Sequence, residues 1–420
     1  MVHTDFGAAA DGSPYTIELG ANWVHGRRNN PMWDFVQQYD MVNITTNDSR
    51  VAEYDQNGPA RYMESTLAEW AEAQEKTEDL LSYMEENDIP DMPGRAALRY
   101  AGWYPDNNPY QRAIEWYEYT WDYGAYPEEV RLENSGTDDD VESTSSCGHS
   151  GNNDTDWDVN HEYNDEFIMD PRGYNFMINE QAREFLNPDE QLLLHTTVAN
   201  VTYDDDGVEV YADDGTCIRA DYAICTFSIG VLQSNSVSFS PVLPTAKRFA
   251  ISSMQMTIYM KLFLQFPENF WGEDEHLLYA DPTGKGYYPV WQSLSAERYI
   301  PGSNIILATV VGDEARRIER QSDEATQAEM MEVLRTMFPG KTIPEPTAFL
   351  YPRWGQTTWT HGSYSITPAG FSEDMFVALR ENVGNLWFAG EALAESQSTT
   401  HGAWQSGREV GAKVAELILD

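Results

Sequence analysis

The sequence predicts an α/β protein, an α+β mixture of helices and strands folded as two domains built from interleaved segments. Two blocks of strand-like segments, at residues 191–226 and 257–311, are set apart from the helix-like segments in the first third of the chain. Near the C-terminus, a short apolar strand leads through a loop into a last helix. Because strand–loop–helix pieces alternate with a separate block of strands, two interleaved domains are expected.

The helix predictions depend on start signals and on apolar spacing. Pro31 in a first-turn position predicts a helix over residues 31–41, and a second, aromatic-rich helix is expected over 109–123. Ser322, followed by acidic residues, predicts a helix over 322–338. Residues 401–417 are the last predicted helix. Residues 63–87 are the clearest one, because their apolar side chains fall broadly on one face; these are Leu67, Trp70, Ala71, Leu80, Leu81 and Met84.

The strand predictions depend on apolar runs bounded by turn residues. A short strand is expected at residues 15–19, and two Asp-Asp-Gly turns, at 205–207 and 213–215, separate hairpin strands in the first block. Residues 133–165 are rich in Ser, Gly, Asn and Asp, which is typical of an exposed flexible loop. The other predicted strands are 191–195, 198–204, 208–212, 218–226, 257–266, 277–280, 287–292, 304–311 and 386–389.

Acidic residues dominate the charge of the chain. Asp and Glu number 69 against 26 Lys and Arg, so the formal net charge is −43. A surface of this sign repels nucleic acid and anionic lipid, and neither is an expected partner. Two interpretations stay open, an adaptation for solubility and an attraction of polycationic substrates. No apolar run is long enough for a membrane span, and three cysteines without a C-x-x-C pair predict no metal site.

Seven short stretches follow one another in a recognisable order. In that order they resemble the flavin-containing polyamine oxidases of plants and fungi, from about Tyr15 to the C-terminus. The resemblance implies a Rossmann-like FAD-binding domain and a substrate domain with a mixed β-sheet flanked by helices. The stretches are Ile17-Glu18-Leu19-Gly20-Ala21-Asn22-Trp23-Val24-His25-Gly26, Asp170-Pro171-Arg172-Gly173-Tyr174, Thr226-Phe227-Ser228-Ile229-Gly230-Val231-Leu232-Gln233, Tyr259-Met260-Lys261-Leu262-Phe263-Leu264-Gln265-Phe266-Pro267, Tyr351-Pro352-Arg353-Trp354, Phe388-Ala389-Gly390-Glu391 and His401-Gly402-Ala403.

The resemblance implies FAD as the cofactor. A flavin and its pyrophosphate need close backbone N–H groups, which glycines allow, although any one glycine is also typical of an ordinary turn. Glu391 resembles the acidic residue that contacts the ribityl–phosphate region, and the start of the last helix resembles the turn that directs its dipole at the flavin. Val198 resembles the position that packs on adenine, with an ordinary strand valine as the alternative. The implied cofactor-binding residues are Gly20, Ala21, Asn22, Trp23, Val198, Trp354, Gly390, Glu391, Thr400, Gly402 and Ala403.

Lys261 is the most informative catalytic candidate. It interrupts an apolar run that includes Leu262 and Phe263, and the resemblance places it where the family's lysine reaches a water at flavin N5. A buried ammonium has a lowered pKa and can exchange protons. The alternative is a lysine that faces solvent on the polar side of an alternating strand. The surrounding motif favours the first interpretation.

His25 and Tyr259 complete the catalytic candidates. His25 resembles the pocket residue of an Asn-Trp-Val-x-Gly motif and would orient or deprotonate an amine; a loop histidine satisfied by the backbone is the alternative. Tyr259, Trp354 and Tyr364 would form aromatic walls, which suit an amine because aromatic faces accept cations. Thr399 is the second implied pocket residue. It replaces a second aromatic residue of the family, so a two-walled aromatic cage is not expected.

One part of the family pattern is absent from the sequence. The family opens with a βαβ unit of about 30 residues that contains G-x-G-x-x-G and binds the dinucleotide. No G-x-G-x-x-G occurs in the 420 residues, which begin where that unit would end. A truncated chain that binds FAD weakly is therefore expected. The open alternatives are a non-catalytic acidic remnant and another flavin amine oxidase, such as an L-amino-acid oxidase, which needs an arginine for the substrate carboxylate.

The resemblance also implies domain bounds, a reaction and partners. An incomplete FAD-binding domain is expected at residues 1–30, 166–240 and 380–420, a substrate-binding domain at 31–132 and 241–379, and an acidic loop at 133–165. The implied reaction is hydride transfer from spermine or spermidine to flavin N5. Water then hydrolyses the resulting imine to an aldehyde and a shorter amine, and dioxygen reoxidises the flavin to give hydrogen peroxide. The implied partners of a monomer are a polyamine and dioxygen. The compartment stays open, because a targeting peptide would lie in the absent N-terminal part.

Overall fold

The computed structural model describes residues 2–46, 50–132 and 164–419. These residues form two compact units of interleaved segments. The first unit contains the described parts of Met1–Asp139 and Ser146–Met177 together with Ile258–Trp354, and the second contains Ile178–Thr257 and Gly355–Asp420. The two units are defined by contacts alone, so the predicted assignment of segments to FAD binding and substrate binding stays a prediction. The expected acidic loop lies outside the described residues, apart from Asn164 and Asp165.

Short strands occur in both units. In chain order they are β1 His3–Phe6, β2 Tyr15–Glu18, β3 Trp23–Val24, β4 Asn43–Thr45, β5 Val51–Asp55, β6 Gly58–Pro59, β7 Glu166–Ile168, β8 Val198–Asp204, β9 Gly207–Ala212, β10 Cys217–Ala220, β11 Ala223–Cys225, β12 Ser238–Ser240, β13 Gln255–Thr257, β14 Tyr259–Gln265, β15 His276–Ala280, β16 Val290–Ser293, β17 Ile305–Val311, β18 Ala348–Leu350, β19 Tyr364–Ile366 and β20 Leu386–Phe388.

The helices are numbered in the same way, and a π-helical turn at Trp116–Thr120 joins the fourth to the fifth. They are α1 Pro31–Gln38, α2 Met63–Glu86, α3 Gly94–Tyr100, α4 Pro109–Glu115, α5 Trp121–Tyr123, α6 Phe176–Arg183, α7 Pro188–Gln191, α8 Ile229–Gln233, α9 Thr245–Ser253, α10 Gly312–Glu319, α11 Asp323–Met337, α12 Glu373–Arg380 and α13 Thr400–Leu419. No helix of the described residues combines the length and the apolar character that crossing a membrane requires.

A seven-stranded sheet organises the first unit, in the order β18-β14-β17-β16-β15-β5-β6. Met260, Leu262 and Leu264 of β14 join a core that includes side chains of α10 and α11. Phe263 joins a different core, with side chains of β1, β2 and β7. Because successive strand residues point to opposite faces, Lys261 lies on the Phe263 face. Both faces of β14 are therefore covered by protein.

The second unit combines a four-stranded sheet, β10-β9-β8-β12, with two strand pairs, β11–β20 and β13–β19. Ile229 of α8, Ile251 of α9 and Phe388 of β20 belong to its core. Strands β11 and β20 run parallel, and the backbone N–H of Ala389 donates to the carbonyl oxygen of Cys225 at 3.0 Å. This pairing fixes the end of β20. Gly390 and Glu391 follow in the loop that leads to α13.

The main helix predictions are confirmed, with one corrected face. Helices α1, α2, α11 and α13 lie where the sequence predicts them, and Ser322 caps α11 by accepting a hydrogen bond from the backbone N–H of Ala325. The predicted face of α2 is partly wrong, because Ala71 is exposed. Spacings of three and four residues bring a different set of α2 side chains to the core; these are Thr66, Trp70, Ala73, Thr77 and Met84.

Two strand predictions are wrong. Residues 191–195 are not a strand, because α7 ends at Gln191, the three leucines that follow are exposed, and His195 has a positive φ of 55°. Residues 218–226 do not form one strand. The chain turns after Ala220, so β10 pairs with β9 whereas β11 pairs with β20. In both places, long-range pairing decides the structure rather than the local apolar pattern.

Candidate active site

Lys261 lies in the first unit, against the loop that follows β2. It is only 3% exposed, so the solvent-facing alternative is wrong. Its Nζ donates to the carbonyl oxygen of Gly20 at 2.7 Å and to Oδ1 of Asn22, and it lies 5.1 Å from the ring centroid of Trp23. The structure therefore brings together four residues that the sequence singles out.

Burial controls the protonation of this cluster. Loss of hydration lowers the pKa of Lys261 to about 7, and the carboxylate of Glu18 opposes this shift. Burial also raises the pKa of Glu18, although the backbone N–H of Tyr174 donates to its carboxylate at 2.5 Å and Lys261 attracts its charge. Both side chains are thus driven toward their neutral forms. A lysine of this kind gains and loses its proton close to neutral pH.

His25 follows β3 and has a carboxylate partner. Its Nδ1 lies 3.0 Å from Oδ2 of Asp165, and the backbone N–H of Gly26 donates to Oδ1 of the same carboxylate at 2.9 Å. Asn30 donates from Nδ2 to the carbonyl oxygen of His25 at 2.8 Å, while its Oδ1 caps α1 by accepting from the N–H of Met32. Side-chain as well as backbone contacts therefore hold the histidine.

The other candidates of the first unit lie in different environments. Tyr259 precedes Lys261 by two residues on β14, so the two side chains point to the same face of the sheet. Ala21 is exposed in the loop beside Gly20. Trp354 packs against the core that includes α10 and α11. Tyr259 therefore lies on the same face of β14 as Lys261. Trp354 instead packs against the core formed by β14, α10 and α11.

In the second unit, Glu391 follows β20 and is held by three donors. Its carboxylate accepts from the backbone N–H of Ser365 at 3.1 Å, from Oγ of Ser365 at 2.8 Å, and from the N–H of Ser398 at 3.2 Å. Burial raises the pKa of Glu391 even though these bonds favour the charged form. The carboxylate thus ties β19 and the loop before α13 to the end of β20.

The start of α13 is a tight turn that uses two predicted residues. The Oγ1 of Thr399 accepts from the backbone N–H of Gly402 at 3.0 Å and donates to the carbonyl oxygen of Ser396 at 2.8 Å. This is the bonding of an N-cap residue. A Cβ at position 402 would overlap the carbonyl oxygen of Ser396. Thr399 therefore has a capping role, and its predicted place in a substrate pocket stays a prediction.

An open pocket lies beside these residues within the second unit. Its empty volume is about 870 Å³, which includes solvent at its mouth. Gly390 has a φ of 132°, which side-chain-bearing residues rarely adopt. Because glycines leave backbone groups accessible, this lining is compatible with a flavin cofactor. The lining includes Gly362, Gly390, Glu391, Ala403 and Gly407.

Three further predicted residues lie in the second unit. Val198 begins β8 and packs against the core of this unit, as an ordinary strand valine does. Tyr364 lies on β19 opposite Thr257, and it is partly exposed. Thr400 is the first residue of α13. Their roles at a cofactor or substrate stay predictions.

The sequence analysis misses two carboxylates of the site. Glu18 lies between apolar Ile17 and Leu19 in a quoted motif, and that context could have indicated a buried charge. Asp165 lies at the end of the expected acidic loop, and its contact with His25 depends on the pairing of β7 with β3. Among the described residues, no group of three or more His, Cys, Asp or Glu side chains could hold a metal ion.

The likeness to known proteins extends over nearly the whole chain. A family model described as flavin containing amine oxidoreductase matches residues 2–415. Polyamine oxidase 1 of Zea mays is 33% identical over an alignment 433 positions long, which covers 96% of this chain and 81% of the relative. Polyamine oxidase 6 of Oryza sativa subsp. japonica is 32% identical over an alignment 425 positions long, with the same coverage.

Solved structures agree at the level of the fold. A structure of putrescine oxidase, described as wild type bound to putrescine, has a TM-score of 0.73 at 15% identity and covers 98% of this chain and 90% of that chain. The predicted α/β fold class is thereby confirmed. The predicted resemblance is confirmed by the family match and by the relatives of maize and rice, and the flavin cofactor is confirmed by the family match. This chain belongs to the family of flavin containing amine oxidoreductases.

Proposed function

We propose that this chain, with FAD bound, oxidises polyamines such as spermine and spermidine. The polyamine oxidases of maize and rice, each about a third identical to it, support this substrate class. The observation that carries the proposal at the site is the buried amine of Lys261, whose pKa burial lowers to about 7. A lysine in this state can transfer a proton next to a reacting centre near neutral pH.

The cofactor would supply the redox chemistry. When bound, FAD accepts a hydride from the carbon beside an amine nitrogen, and dioxygen takes up the electrons to give hydrogen peroxide. In the second unit, Gly390, Glu391 and Ala403 are the residues that would hold it, and all three belong to the expected FAD-binding segment at 380–420. Lys261 would hold a water through its Nζ, the role that the resemblance implies.

Side chains of the protein would remove one proton from the cationic substrate and contact its remaining positive charges. An amine must be neutral before the adjacent carbon can release a hydride, because its lone pair stabilises the cation that forms. The imidazole of His25 would accept the ammonium proton. Tyr259 would offer an aromatic face to the remaining cationic nitrogens.

A spectrum and a peroxide assay test this proposal. The purified chain should show flavin absorption in the visible range and release hydrogen peroxide with spermine or spermidine. Lys261→Met should lower turnover about 10²-fold, the loss of one proton-transfer group. Lys76→Met removes an exposed lysine of α2 that pairs with Glu72 in the described part of the chain, and should leave turnover unchanged.

Other outcomes would contradict the proposal in different ways. Peroxide with L-amino acids and none with polyamines would indicate an amino-acid oxidase. A colourless and stably folded chain would favour a non-catalytic remnant of the family.

A further inference from the structure

The loop from His25 to Asn30 is fixed by one carboxylate that contacts two successive residues. Oδ2 of Asp165 lies 3.0 Å from Nδ1 of His25, and Oδ1 accepts from the N–H of Gly26 at 2.9 Å. Gly26 has a φ of 64°, a left-handed conformation that a glycine adopts without strain. This conformation lets the imidazole and the next backbone N–H converge on the same carboxylate.

Backbone hydrogen bonds hold the two segments that carry Asp165 and His25. Asp165 accepts from the backbone N–H of Thr46 at 3.0 Å through its own carbonyl oxygen, and the next residue, Glu166, begins β7. On the other side, Asn30 is 4% exposed and holds the carbonyl oxygens of His25 and Gly26. The two partners therefore meet between elements whose backbones are tied in place.

The neighbouring charges have other partners. Nε of Arg27 donates to Oε1 of Glu166 at 2.8 Å, and Oγ1 of Thr45 donates to the same oxygen at 3.0 Å. Glu166 is therefore engaged by Arg27 and Thr45. Among the described residues, Asp165 is a carboxylate that contacts the imidazole of His25, through Oδ2 at 3.0 Å from Nδ1.

We propose that Asp165 is a positioning residue that fixes the tautomer of His25 for the removal of a substrate proton. The inference rests on the proposed function, in which His25 accepts that proton. A carboxylate is an acceptor only, so the contact at Nδ1 requires the neutral imidazole to carry its proton there. The lone pair then lies on Nε2.

The proton transfer is balanced without any other reactant. An N–H bond of the substrate ammonium breaks, an N–H bond forms at Nε2, and the amine keeps its electron pair. The imidazolium that results is stabilised by the carboxylate at Nδ1, as in other histidine–carboxylate pairs. Solvent later takes the proton from Nε2, and no electrons are transferred in this step.

Nitrogen NMR of the histidine rings tests the tautomer in the chain without added cofactor or substrate. The chain has 8 histidines, and the signals missing in His25→Asn identify His25. At about pH 8.5, where an ordinary imidazole is neutral, the wild type should show a protonated Nδ1. Asp165→Asn keeps an oxygen for the N–H of Gly26, and its amide can donate to Nδ1. The variant should therefore shift His25 to the tautomer protonated at Nε2.

The readouts separate this inference from the proposed function. A wild type protonated at Nε2, or a tautomer that does not change in Asp165→Asn, would overturn the inference whatever the activity. Loss of the proposed function would show instead as a wild type that releases no peroxide from polyamines. In an active wild type, Asp165→Asn should lower kcat about 10²-fold or more. An unchanged kcat would also overturn the inference, and Asp313→Asn, at an exposed carboxylate, is the matched control.

Discussion

The surroundings of Lys261 limit the cost of placing an amine inside a covered sheet. Its Nζ has two neutral oxygen acceptors, from Gly20 and Asn22, and the ring of Trp23 adds a weak attraction for a cation. Glu18 contributes a nearby carboxylate, and its Oε2 has no hydrogen-bond partner among the described residues. Because burial favours the neutral forms of both groups, the proton of Lys261 is held loosely. A loosely held proton favours proton transfer by Lys261, whereas burial of the amine adds little to the stability of the fold.

The stability of the wild type relative to Lys261→Met should therefore rise with pH above neutrality. The unfolded chain keeps the lysine proton up to its ordinary pKa of 10.5, whereas the folded chain loses it near 7. Between these values the unfolded state binds more protons, so the free energy of unfolding increases with pH. The slope is at most about 1.4 kcal/mol per pH unit. Urea denaturation of both proteins at about pH 6.5 and about pH 9 measures the change; an identical difference at both values would contradict it.

The start of α13 requires a glycine at position 402, because there is no room for a Cβ atom there. Gly402→Ala places a Cβ on the carbonyl oxygen of Ser396, so the helix start must shift, at a cost of about 1–3 kcal/mol. Gly411→Ala is the matched control in the same helix, because no described atom lies within 4 Å of its added Cβ. It should stabilise by up to about 1 kcal/mol. Urea midpoints check both variants, and equal shifts would show that the turn does not constrain position 402.

Elements with strong local signals are predictable from this sequence, and the rest needs tertiary information. Ser322 and the acidic residues after it determine the start of α11 by local bonding, so the prediction succeeds. The leucines after Gln191 have the pattern of a strand, but a strand needs a partner, and in the described structure these residues are exposed. The same limit applies to the site. Lys261 is identified by its motif, whereas Asp165 becomes a partner of His25 only through the pairing of β7 with β3.

The whole molecule has a net charge of −43, and this charge has a consequence for the proposed substrates. A cationic polyamine approaches an anionic protein under long-range attraction, which raises the rate of encounter. Salt screens this attraction within about 10 Å at 0.1 M ionic strength. If the acidic side chains lay beyond the screening distance from the site and served solubility alone, the rate of substrate capture would not depend on the charge of the amine.

Raising the salt concentration should therefore lower kcat/KM more for spermine than for a monoamine. Between about 0.05 M and about 0.5 M salt, we expect a loss of about 10-fold for spermine, because its several positive charges each contribute to the attraction. Benzylamine, with one charge, should lose less, and this makes it the internal control for general effects of salt on the enzyme. Circular dichroism at both concentrations verifies that the fold is retained. Equal losses for the two amines would favour the solubility interpretation of the acidic surface over substrate attraction.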